Sequence, residues 1–134
     1  MASTSEGRPT GGELSVKISN RMVQMLHRYT GRGPTKARTT IGSDHVLVML
    51  GDTLTTGERT LLEAGYGEAV MITRRRYQDV MRPEAVGMVE ELTGRTVVGF
   101  MSDNHASPDL GVEVFVLQPN GKPAELQEGE SNDE

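Results

Sequence analysis

Residues 36–50 read KARTTIGSDHVLVML. From Lys36 to Ile41 polar side chains alternate with small or apolar ones, Gly42-Ser43-Asp44 carries turn chemistry, and His45 to Leu50 is rich in β-branched and aliphatic residues. The segment predicts a β-hairpin.

Upstream of it, Ile18, Met22, Met25, Leu26 and Tyr29 recur at spacings of three and four, while Lys17, Arg21, Gln24 and Arg28 share the opposite face. This predicts an amphipathic helix over about 14–29, stopped by Gly31 in a left-handed cap and barred from continuing by Pro34. Downstream, Thr55 and Glu58 have capping-box spacing ahead of Leu61 and Leu62, so a short helix is expected to run to about Ala64 and stop at Gly65. Helical spacing resumes from Gly67 through Val70, Tyr77, Val80, Met81, Val86, Val89 and Leu92, with Pro83 marking a bend near Arg82 and Gly94 the end. Thr96–Met101 and Gly111–Leu117 read as strands, with polar Ser102–Asp109 between them.

The order α-β-β-α-α-β-β gives an α+β fold: a four-stranded, mainly antiparallel sheet with helices packed on one face. Thr30-Gly31-Arg32 and Thr93-Gly94-Arg95 each end a helix ahead of a strand, and turns with Ser43-Asp44-His45 and Ser102-Asp103-Asn104-His105 follow. An internal α-β-β repeat and chance reuse of cap and turn residues account for this echo equally well. Val46, Val48, Val112, Val114 and Val116 are expected to face the helices, and Leu47, Met49, Val98, Phe100, Phe115 and Leu117 the other side. A second apolar face does not stay wet, which points to a homodimer formed through the sheet, or to a helix that covers it.

At 134 residues the chain suits one domain, expected over 13–118 between a disordered tail at 1–12 and a disordered acidic tail at 119–134. There are no cysteines, which excludes disulfides, thiolate metal sites and cysteine nucleophiles and fits a reducing cytoplasm. The longest apolar run, Val46–Leu50, is far below the ~20 residues that cross a bilayer, so a soluble cytoplasmic protein without a membrane span is expected. Of the net charge of −5, residues 120–134 hold −4, with five acids against Lys122. The body is near neutral but uneven: Lys17, Arg21, Arg28, Arg32, Lys36 and Arg38 occur with no acid between Glu13 and Asp44.

Several constellations have residue types that can carry chemistry. His45 and His105, beside Asp44 and Asp103 in turns that a repeat would bring to the same end of the sheet, lack the tight spacing of a metal motif, and turn chemistry is the simpler reading, so no metal or cofactor is expected. Ser43, Asp44 and His45 have the residue types of a nucleophilic triad, but adjacent side chains diverge, so no catalytic residue is assigned. Gly31 to Arg38 offers glycines and three cations to an anion, although the helix precedes the glycines, unlike a phosphate-binding loop. Arg74, Arg75 and Arg76 form a second cluster that fans around a helix. The candidate partner- or anion-binding residues are therefore Arg28, Arg32, Lys36, Arg38, Arg74, Arg75 and Arg76. Nucleic acid is the weaker alternative, since two Phe and three Tyr offer little stacking and the total charge is acidic.

The blocks TGRGPTKAR, LTTGERTLL, RRRYQDVM, VEELTGRTVVGFMSD and VEVFVL, in this order and spanning about 13–118, resemble the MpsC-like family. The resemblance implies association with a sodium-translocating, membrane-potential-generating system. Without a span of its own, such a chain is expected to act as a non-catalytic accessory or regulatory module, peripheral to an integral membrane transport partner whose acidic loops would meet the basic face. A small-anion or nucleotide sensor built on Arg32, Lys36 and Arg38 is the alternative reading.

Overall fold

The computed structural model describes residues 11–119. Most of the two expected tails, at 1–10 and 120–134, lie outside the described residues. In chain order the elements are α1 (Gly11–Thr30), β1 (Lys36–Ile41), β2 (His45–Gly51), α2 (Thr56–Glu63), α3 (Gly67–Thr93), β3 (Val97–His105) and β4 (Leu110–Leu117). They form the α+β arrangement expected, with one antiparallel sheet ordered β1-β2-β4-β3.

Both TGR triplets build the same helix end. Thr30 Oγ1 donates to Leu26 O at 2.8 Å and Thr93 Oγ1 to Val89 O at 2.7 Å. Gly31 and Gly94 then turn the chain at φ +82° and +72°, a region closed to most side chains, and each N–H bonds back four residues at 2.8 Å. Each following arginine reaches a backbone carbonyl just past a strand, Arg32 at Asp52 O (2.7 Å) and Arg95 at Gln118 O (2.9 Å). α2 opens on the capping box foreseen, with Thr55 and Glu58 bonding each other's backbone N–H. α3 runs unbroken through Pro83.

The core lies between the sheet and helices α1 and α3. Ile18, Met22 and Met25 of α1 and Met81, Ala85, Met88, Val89 and Leu92 of α3 pack on Val46, Val48, Leu50, Phe115 and Leu117. A buried hydrogen bond of 2.7 Å between the Ser19 and Thr39 hydroxyls ties α1 to β1.

Three expectations need correction. In β4 the faces are exchanged: Phe115 and Leu117 are buried against the helices, whereas Val112, Val114 and Val116 point away with Leu47 and Met49. Phe100, paired with Phe115 in the ladder and 5.0 Å from its ring, is also on the helix side. Glu113 goes inward with Phe115 and Leu117, opposite Val48 in the ladder. Second, β3 continues through Ser102 to His105, because the first half of the polar stretch keeps ladder partners in β4 down to Leu110, and residues 106–109 form the turn. Third, the two histidine turns lie at opposite ends of the sheet: His45 pairs with Val116, while His105 pairs with Leu110, itself opposite Gly51. His45 Nδ1 bonds Asp44 Oδ1 at 2.8 Å and His105 Nδ1 bonds Pro108 O at 2.9 Å.

Among the described elements, none lies on the outer face of the sheet. Val98 and Met101 there are each 56 % exposed, beside half-buried Leu47, Met49, Val112, Val114 and Val116.

Candidate functional site

A cleft of about 250 Å³ opens on the helix side of the sheet, between α1, the middle of α3 and strands β2, β3 and β4. Leu26, Pro34, Leu50 and Met81 supply apolar wall, and Thr53, Glu58, Arg74, Tyr77, Asn104 and Glu113 polar groups. Strand geometry places Glu113 here: it occupies an inward position of β4, where a hydrophobic side chain would ordinarily sit. Only 3 % exposed, its carboxyl is pushed up to about 7 from an ordinary 4.5, chiefly by burial. Ser102 faces it across the ladder, and its buried hydroxyl, without a hydrogen bond of good geometry, opposes the rise only weakly.

The cleft is also lined by an arginine with its donors fully used. Arg74 grips Glu58 with Nε and Nη2 at 2.9 and 2.8 Å, and donates from Nη1 to Thr53 Oγ1 (2.9 Å) and Asn104 Oδ1 (3.1 Å) and from Nη2 to Thr53 O (2.8 Å). A two-pronged pair of this kind is the strong form of the ion pair, and Arg74 is only 14 % exposed. Burial alone would raise the Glu58 carboxyl; Arg74 and the Thr55 N–H bring it below its usual value.

A second network closes the rim. Asp109 accepts from Thr53 N and Oγ1 and from Leu54 N at 2.9, 2.7 and 3.0 Å, and Arg59 lies 3.2 Å away. Burial works against the charge of Asp109, and these donors outweigh it to lower its pKa. Asp52, at φ +56°, accepts from Thr35 Oγ1 at 2.7 Å and pairs with Arg32 and Arg59 at 3.0 and 3.2 Å. The Thr35 hydrogen bond is the main cause of its lowered pKa. The loop after β2, the N-terminus of α2 and the β3–β4 turn are thereby cross-linked around α3. Charge within the cleft is matched pair by pair, except at Glu113.

Residues 10–119 match the family described as Na+-translocating membrane potential-generating system (MpsC). The chain belongs to that family. Comparison with curated proteins and with solved structures gave no match. No helix among the described residues is long and apolar enough to cross a membrane.

In this MpsC-family chain the cations singled out from sequence divide into two groups. Arg28 pairs with Glu84 and lies 5.7 Å from the centre of the Tyr29 ring, Arg32 pairs with Asp52, and Arg74 with Glu58. The Glu84 contact, as hydrogen bond and charge, raises the pKa of Arg28, and the hydrogen bonds from Arg28 and Tyr29 lower that of Glu84. Lys36 and Arg38 are exposed on edge strand β1, Arg75 and Arg76 are exposed on α3, and none of these four is in an ion pair among the described residues. The structure does not gather the seven into one patch: Arg32 and Arg74 line the cleft, and the others lie outside it. Sequence reasoning missed Asp52, Thr53, Asn104, Asp109 and Glu113. One signal for the last was available, a lone acid inside the apolar run VEVFVL.

Proposed function

We propose that this chain is an accessory module of a membrane-potential-generating system, working as a homodimer joined through the outer face of its sheet and docking on an integral membrane partner through its free cations. The observation that carries the reading is the pattern of that outer face. Arg38, Met49, Val112 and Asp103 form one row across the four strands, and Thr40, Leu47, Val114 and Met101 the next. Each row is self-complementary about a two-fold axis parallel to the strands. Such an axis lays β1 over the β3 of a second copy and β2 over its β4. Arg38 then meets the partner's Asp103, Met49 the partner's Val112, and Leu47 the partner's Val114. Two sheets stacked about 10 Å apart bury this apolar band, and the charged pairs at both margins set the alignment.

The family supplies the membrane system, and with no membrane-crossing helix described, the spanning part is assigned to the partner. Pairing through the outer face leaves Arg75 and Arg76 on α3 outside the interface, available to acidic loops of that partner. Light scattering of the full chain at micromolar concentration is expected to give the dimer mass. Arg38→Asp and Asp103→Arg should each weaken the dimer and the double exchange restore it. A monomeric wild type would overturn the homodimer; a dimer indifferent to either charge change would overturn the alignment. For the partner, crosslinking in native membranes is expected to capture an integral membrane protein and to lose it in an Arg75→Glu, Arg76→Glu variant.

A further inference from the structure

The unmatched acid inside the cleft fits neither the docking role nor a purely structural one. A carboxyl at an inward strand position gives up hydration, and the usual compensation is a cation or a set of donors. Glu113 has neither. The cations lining the cleft are accounted for: Arg74 of α3 is closed by Glu58 of α2 and Arg32 after α1 is closed by Asp52; α3 otherwise offers the neutral Tyr77 and Gln78, and β3 Ser102 and the already bonded Asn104. The side chains of Leu26 and Thr30 bring no charge from α1. A group 97 % buried that lines a solvent-reaching cleft, with no counter-charge of its own, is arranged for a counter-charge that arrives from outside.

We propose that this cleft binds a small organic amine, its ammonium group paired with the Glu113 carboxylate and its apolar body laid against Leu26, Leu50 and Met81. An anion is disfavoured, because both arginines at the cleft are committed and the free charge is negative. A bare metal cation is disfavoured too, since hard cations collect about six oxygens and Thr53 and Asn104 spend theirs on Arg74. At about 250 Å³ the space is just below the ~300–1,000 Å³ typical of drug-sized pockets, which suits a compact metabolite with a single charge.

Phenethylamine is a suitable probe and 2-phenylethanol its neutral match in shape. Titrated into the full chain and followed by NMR, the amine is expected to saturate in the millimolar range or tighter and to shift signals of Leu26, Met81 and Gly111. Its affinity should rise about tenfold from about pH 6 to about pH 8, as the carboxyl with a pKa near 7 ionises, and the alcohol should show no such rise. Glu113→Gln, equal in shape and free of the buried charge, should fold and lose the amine about tenfold or more while keeping the alcohol. Leu26→Trp, filling the apolar end, should exclude both probes. Three results would each overturn the proposal: no saturable binding of the amine, equal binding by Glu113→Gln, or displacement of the amine by sodium or potassium chloride in proportion to the cation alone.

Discussion

Replacing Glu113 by Gln should change how the fold responds to pH, and the size of the change follows from where the residue sits. In the native state its carboxyl titrates near 7, against 4.5 for an ordinary glutamate, and burial is the main cause. Between those two values the folded protein holds a proton that the unfolded chain has released. Stability must therefore fall as pH rises from about 4.5 to about 7 and level off above. At about 1.4 kcal/mol per pH unit, the decline between pH 5 and 8 comes to roughly 2–3 kcal/mol. The resolved shifts of Asp52, Glu58, Glu84 and Asp109 are all downward and act at lower pH, so they leave this window to Glu113. Glutamine keeps the shape and cannot ionise. Urea unfolding followed by circular dichroism at several pH values should show the variant gaining on wild type by roughly 2–3 kcal/mol from pH 5 to pH 8. If the two stability curves run parallel across that range, the carboxyl ionises inside the fold without penalty and the burial reasoning fails.

Arg74→Ala strands the Glu58 carboxylate at a largely buried site and should cost about 3 kcal/mol in denaturant unfolding; Arg74→Lys, a point charge without the planar fork, should recover only part. The Arg74→Ala penalty should shrink as pH drops below about 4, because the lowered pKa of Glu58 means its contribution is present above the ordinary carboxylate range and lost as the folded carboxyl is protonated. Thr55→Ala removes one half of the capping box of α2 and should cost about 1 kcal/mol, read from the same urea midpoints.

Local structure was legible because its determinants are local. The two Thr-Gly-Arg helix ends, the Thr55–Glu58 box and the Gly42-Ser43-Asp44 turn each announce themselves within a few residues, and each is present in the fold. The phase of β4 was not legible for a physical reason. Gly111 to Leu117 is apolar at both alternations except for Glu113, and burying an acid is costly enough that pointing it to solvent is the natural reading. The fold does the opposite, because Phe115 and Leu117 together bury more apolar surface than the valines on the other alternation. The cleft was equally hidden, since Thr53, Glu58, Arg74, Asn104 and Glu113 come from five separate stretches and meet only once β3 and β4 close the sheet. Arginine counts along the chain gave no way to tell Arg74, absorbed by Glu58, from Arg75 and Arg76 beside it.

The strand order β1-β2-β4-β3 sets a timetable for synthesis. β2 is a central strand, yet one of its two neighbours is β4, the last element described, so a nascent chain that has completed the first hairpin still carries Val46 and Val48 on a strand with a raw edge. That edge is sealed only after some sixty further residues, including all of α2 and α3, have left the ribosome. Until then Lys36 and Arg38 on β1 keep one side of the hairpin soluble, and the β2 side depends on speed or on a chaperone's grip.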